Sequence, residues 1–101
     1  MNTDLYKLFI KAFSNETRLR IIDLLKSSPR SVSEICKELN FEQSRVSHNL
    51  RCLTDCGFVH AKQNGKSRLY SLDKKTILPM IKLIDDHIKS YDEHLKKWHQ
   101  K

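Results

Sequence analysis

Between Glu42 and Asp55 the chain carries no acidic side chain: residues 43–54 read Gln, Ser, Arg, Val, Ser, His, Asn, Leu, Arg, Cys, Leu, Thr. A solvated helix face normally pairs Glu with Lys or Arg one turn apart, so this stretch is not read as plain surface. Other absences narrow the class. No apolar run is long enough to span a bilayer, and Met1-Asn2-Thr3-Asp4 has no basic region leading into an apolar one. Neither a membrane span nor an export signal is therefore expected, and the expected location is cytoplasmic. Cysteine is scarce and odd in number, with Cys36, Cys52 and Cys56 only. Without a secretion signal such a set predicts free thiols or thiolate ligands rather than a disulfide framework. No Ser/His/Asp set, phosphate loop or closed metal cluster can be read, so an enzyme is not expected. Repeats and low-complexity segments are absent as well.

What is present fits one domain over residues 1–101 with a modest core, for which a second subunit is a natural support. The formal charge of +7 favours anionic partners: nucleic acid first, membrane headgroups or an acidic protein second.

Residues 4–13 place Leu5, Leu8, Phe9, Ala12 and Phe13 on one side of a helix whose aromatics need cover. Asn15 is a good N-cap for a second helix that runs through Leu19, Ile21, Ile22, Leu24 and Leu25 as a core element. Ser31-Val32-Ser33-Glu34 is a capping box, and the short helix it opens points Val32, Ile35, Cys36 and Leu39 inward. Asn40 tolerates the left-handed conformation that a sharp turn requires. In the next helix Val46, Leu50 and Leu53 share one face. The other face holds Gln43, Ser44, Arg45, Ser47, His48 and Arg51, the chemistry that meets base edges and phosphates in a DNA groove. A short capped helix, a turn and this second helix form a helix-turn-helix, with the second helix as reader.

Gly57 closes the reader. Two alternating segments follow, 58–62 and 67–72, joined through Asn64-Gly65, a strong hairpin signal. Lys62, Lys66 and Arg68 make this hairpin a basic wing able to reach flanking backbone or minor groove. From Ile77 the apolar positions Ile81, Ile84, Ile88, Tyr91, Leu95 and Trp98 recur at alternating spacings of 4 and 3, a heptad seam on a single helix of about residues 76–98. Pro79 is tolerable only in its first turn. One small domain cannot cover both this seam and the first helix. A homodimer through the helices at about 4–13 and 76–98 is the expectation, with Leu5, Phe9, Ile81, Ile84, Ile88, Tyr91 and Leu95 at the interface. The fold class is thus mainly α with a small β-hairpin: a winged helix-turn-helix, dimeric through its N- and C-terminal helices.

With these residues in place the chain resembles the ArsR/SmtB family of winged-helix transcriptional repressors. The resemblance lies in residues 13–22, Ser33 to Leu39, Val46 to Leu53, and Gly57-Phe58-Val59 through Leu72, in order and over most of the chain. It implies a dimeric repressor on an inverted-repeat operator of double-stranded DNA, often released by a metal ion. One family sensor site uses Cys-x-Cys before the reader helix; Ser31 and Ser33 stand there. A second uses Asp-x-His and His-x-x-Glu on the last helix; Lys74, Thr76, His87 and Ser90 occupy those places, so one ligand of four remains. A third, of the cadmium- and lead-sensing branch, has a Cys-Leu-x-x-Cys-Gly pattern that Cys52-Leu53-Thr54-Asp55-Cys56-Gly57 matches.

Cysteines at i and i+4 share a helix face and suit a soft or borderline ion such as cadmium, lead or zinc. A third donor is not identified; His94, His99 and Cys36 are candidates at unmatched positions. Three alternatives stand beside the metal reading: a redox-responsive thiol pair, a regulator without inducer whose cysteines are packing, and a winged helix used for protein–protein assembly. The last would need an apolar patch on the reader face, and there is none.

Overall fold

The computed structural model describes residues 1–99, apart from the side chains of Leu95 and His99. Two expectations, Leu95 on the seam and His99 as a metal donor, lie outside the described residues. Helix α1 (Thr3–Phe13) begins where Asn2 Oδ1 accepts from the Leu5 amide at 3.1 Å. Helix α2 (Glu16–Leu25) begins likewise, with Asn15 Oδ1 accepting from the Arg18 amide at 3.1 Å. Helix α3 (Val32–Leu39) carries the capping box: the Glu34 amide donates to Ser31 Oγ at 3.2 Å and the Ser31 amide to Glu34 Oε1 at 2.9 Å. The Ser31 amide holds the Glu34 carboxyl below its ordinary pKa, so the box stays charged at neutral pH. Asn40 then takes the left-handed conformation (φ 57, ψ 47), and the reader helix α4 (Gln43–Asp55) follows.

Gly57 at φ +76 ends α4, a conformation that costs glycine little. Strands β1 (Val59–Asn64) and β2 (Ser67–Leu72) pair antiparallel from Val59↔Leu72 to Asn64↔Ser67. β2 matches its predicted bounds, while β1 runs two residues further toward the turn than the sequence predicts, leaving Gly65-Lys66 as a two-residue loop with φ +63 at Gly65. Arg30 and Tyr70 exchange backbone hydrogen bonds of 3.0 and 2.8 Å, which ties the segment entering α3 to the wing.

The core sits where α2, α3 and α4 cross above the base of the hairpin. Ile21, Ile35, Val46, Leu53 and Val59 are 0% exposed and Leu50 is 1% exposed. Such side chains contribute about 1.5–3 kcal/mol each from burial. The inward face expected of α4 is thus the buried one, and Val32, Cys36 and Leu39 pack against it from α3. Leu19 departs from the expectation of a core position. It is 45% exposed, because its flank of α2 borders an open groove beside α1 and a shallow recess beside Leu39 of α3. Phe13 finds cover within the same chain and Phe9 only in part, with ring centroids 4.6 and 4.9 Å from that of Phe58; Phe9 stays 37% exposed.

The C-terminal seam is broken where the heptad pattern predicts one helix. Helix α5 (Ile77–Ser90) ends at Tyr91 (φ −119, ψ 22), and α6 (Asp92–His99) restarts beyond it. Two local forces outweigh the apolar repeat. The Ser90 hydroxyl donates to the Asp86 carbonyl at 3.1 Å, a back-bond that bends helices. Asp92 and Glu93 favour the positive end of a new helix over the interior of an old one. At its other end α5 starts as the sequence predicts, with Thr76 as N-cap and Pro79 in the first turn. Asp73 Oδ2 accepts from the Thr76 amide at 3.0 Å, and Asp73 Oδ1 lies 2.9 Å from His60 Nε2. The Thr76 hydroxyl, then His60, hold the Asp73 carboxyl down at about 2. His60, on its own an ordinary surface residue, therefore joins the wing's base to the start of α5.

Candidate nucleic-acid interface

Gln43, Ser44, Arg45, Ser47, His48 and Arg51 are all exposed on one side of α4, opposite buried Val46, Leu50 and Leu53. This side follows from the helical period: once the apolar triplet is drawn into the core, the acid-free residues face out. Arg51 and Ser47 meet the wing. With Thr54, Asp55, Arg68 and Tyr70 they line a polar cleft of about 300 Å³ between α4 and β2. The strand register explains which wing cation takes part. Arg68 lies opposite Gln63 and shares a face with Tyr70, whereas Lys62 lies opposite Leu69 and points to the other face of the ribbon. Lys66 sits in the turn. So the structure brings Ser47, Arg51 and Arg68 together and leaves Lys62 apart from them.

Arg45 is more constrained than its neighbours. Its Nε and Nη2 both donate to Thr17 Oγ1, at 2.9 and 2.6 Å, and its guanidinium lies 3.8 Å from the centroid of the Phe41 ring. The Thr17 side chain that holds it is buried at the first turn of α2. Beside it runs a second link. Asn49, 7% exposed, accepts from Arg18 Nε at 3.1 Å and donates to the Arg45 carbonyl at 2.8 Å, while Arg18 Nη1 donates to the Ala12 carbonyl at 3.3 Å. Asn49 and Arg18 thus fix the pitch of the reader against α2 and the end of α1. Neither stands out in the sequence. The available signal is an Asn three residues after Val46, on the flank of the apolar stripe, where a buried amide needs partners.

The thiols divide. Cys36 is half-buried against the core; Cys52 is half-buried and Cys56 exposed, one turn apart at the end of α4. Among the described residues no group of three or more His, Cys, Asp or Glu side chains is placed to hold a metal ion. His87, the remaining ligand-type residue of the last-helix pattern, stacks on Tyr91 with centroids 4.6 Å apart. No helix among the described residues is long and apolar enough to cross a membrane.

A capped helix, a left-handed turn, an acid-free reader and a two-stranded basic hairpin define a winged helix-turn-helix. The model of the bacterial regulatory proteins of the arsR family matches residues 15–61, which run from the cap of α2 into β1. Over 75 residues the chain is 32% identical to a probable mercury resistance operon repressor of Streptomyces lividans, covering 74% of this chain and 60% of the relative. It is 34% identical over 86 residues to the HTH-type transcriptional regulator NmtR of Mycobacterium tuberculosis, covering 85% of this chain and 68% of that one. Among solved structures, the homodimeric winged helix-turn-helix DNA-binding domain Mb0332 of Mycobacterium bovis superposes with a TM-score of 0.81 at 27% identity, covering 91% of this chain and 85% of that domain. The chain belongs to the ArsR family of bacterial regulatory proteins.

Proposed function

We propose that the chain is a sequence-specific DNA-binding repressor of transcription, acting as a homodimer on an inverted-repeat operator. The observation that carries this reading is the exposed face of α4: six polar or cationic side chains with no acid among them, continuous with the Arg51–Arg68 cleft. The repressor named for the Streptomyces relative and the homodimer named for the mycobacterial domain support it. Ser44, Ser47 and His48 are assigned to base edges or adjacent phosphates, Gln43 and Arg51 to the margins, and Lys62, Lys66 and Arg68 to flanking backbone. Arg45 contacts DNA from a fixed position, as Thr17 and Phe41 dictate. Two readers related by a dimer axis would meet half-sites about 34 Å apart.

Reader and wing are expected to fail differently. Replacing His48 by Ala should relax base preference, at about 1–3 kcal/mol if the contact is a good base pair. Replacing Lys66 or Arg68 by Ala should weaken every duplex alike. Selection of bound sequences from a random pool, with each variant, separates the two. Wing variants that changed the selected sequence as much as His48→Ala would overturn the division of roles.

The signal that ends repression is assigned to the Cys52/Cys56 pair, the two soft donors spaced one turn apart. Cadmium or lead suits thiolates, and zinc is the borderline candidate. The donor set does not close on one chain, however: two cysteines stand there without a third ligand among the described residues. Oxidation of the pair is the second reading, favoured by the exposure of Cys56. Any inducer must bind the DNA-free state more tightly, and DNA must then weaken its binding by the same factor. Titration of the reduced protein with cadmium is expected to give thiolate-to-metal absorption that the Cys52→Ser/Cys56→Ser variant lacks. Equal absorption in that variant would return both cysteines to a packing role.

A further inference from the structure

Phe41, in the turn before the reader helix, is flanked by two guanidinium groups. Arg45 of α4 lies 3.8 Å from the ring centroid and Arg20 of α2 lies 5.2 Å from it. Both arginines are exposed and Phe41 is half-buried. Among the described residues neither arginine forms an ion pair with an acid. The nearby carboxylates are Glu16 and Asp23, one turn before and one turn after Arg20 on α2, and Glu42 at the start of α4; Asp23 pairs with Lys26, and Glu16 and Glu42 stay outside the ion pairs of the described residues. Arg45 is secured by the Thr17 hydroxyl through Nε and Nη2, which leaves its Nη1 facing away from that bond.

Two cations gathered on one ring repel each other, and the ring's negative face offsets only part of this. A shared anion would relieve the rest. The guanidinium fork of Arg20 matches a phosphate and Arg45 adds its Nη1, and contact with Phe41 has already used up side-chain freedom that binding would otherwise remove. The position also fits. Arg45 is in the first turn of the reader, so an anion here lies beside the major-groove face and away from the wing.

We propose that Arg20 and Arg45, ordered by Phe41 and Thr17, form a second phosphate anchor, which grips the DNA backbone beside the turn of the helix-turn-helix. This rests on the DNA-binding reading and extends it. Arg20 becomes a contact residue although it lies on α2, outside both reader and wing, and Arg45 becomes a backbone contact rather than a base reader.

The test uses the full chain and a random-sequence duplex, which reports phosphate contacts without knowledge of the operator. Fluorescence anisotropy is followed across a salt series for the wild type, Arg20→Gln, and Lys89→Gln as a control of equal charge change on α5. Withdrawing Arg20 from the anchor of each protomer should lower the slope of log affinity against log salt, by up to about 1.8 per dimer, while Lys89→Gln should leave it near that of the wild type. Circular dichroism checks that Arg20→Gln keeps the fold, which the exposure of Arg20 favours. An Arg20→Gln slope equal to that of Lys89→Gln would overturn the anchor and leave DNA binding intact. A wild type that bound the duplex without salt dependence would overturn both.

Discussion

Raising the salt from 50 to 200 mM is expected to lower the affinity of the dimer for duplex DNA by roughly a thousandfold or more. The size of the effect follows from counterion release: about 6–10 neutralised phosphates cost a factor of 10³–10⁵ over that range. Each protomer offers Arg51 and Arg68 in one cleft, Lys66 in the wing turn, and Lys62 on the ribbon's other face. Two protomers reach the required number even if one of these cations per chain misses the backbone. The +7 charge of the chain adds long-range attraction, which salt also screens. A titration by anisotropy at several salt concentrations measures the slope. A change of less than about tenfold over the range would be too small for a protein held by backbone phosphates, and the proposed interface would fall with it.

A single acid at the outer face of α5 is expected to have an effect of similar size by another route. Leu5, Leu8 and Ile10 on α1 are 60–66% exposed, and Ile84 and Ile88 on α5 are 46% exposed. Between these helices runs an apolar groove of about 450 Å³, lined by Phe9, Leu19, Ile81 and Ile84 among others. One end is closed by Lys26, whose Nζ lies 2.9 Å from Asp85 Oδ2 and 3.0 Å from Asp23 Oδ1. Hydrogen bonds to Asp85 and then Asp23 raise the Lys26 pKa, so the closure holds its charge. So much apolar surface on a small chain marks an association face.

Because Ile84 is half open in the single chain, Ile84→Glu should cost the protomer's own fold little. In a dimer it would bury an unpaired carboxylate. Sedimentation should therefore report a monomer with an unchanged circular dichroism spectrum. Operator affinity should fall by about 10²–10⁴, the factor that linking two binding modules supplies. An Ile84→Glu protein that remained dimeric would place the interface elsewhere.

The parts of this fold that depend on a few neighbouring residues were legible. The Ser31/Glu34 box, the Asn15 cap, the left-handed Asn40, the stop at Gly57 and the Pro79 start of α5 each need only a local rule. The inward triplet of α4 followed from helical period, and with it the acid-free outer face. The heptad after Ile77 was legible too, but its continuity was overestimated. An apolar repeat states which face is sticky, whereas Ser90 and Asp92 decide whether the backbone stays helical.

The amino-acid sequence by itself determined the order of elements as far as the start of α5, the helix ends up to that point, the reader face and the family. All of these are set by contacts within a turn or two, or by composition. Tertiary structure alone decided which cations meet. Arg45 reaches Thr17 across 28 residues, Arg18 reaches Asn49 across 31, and Lys26 reaches Asp85 across 59. Such pairs carry no periodic signature, since any of several exposed cations could have taken the same place. The crossing of α2 over α4 selects among them, as hairpin register selects Arg68 over Lys62 for the cleft. That selection turns a set of basic residues into an ordered surface.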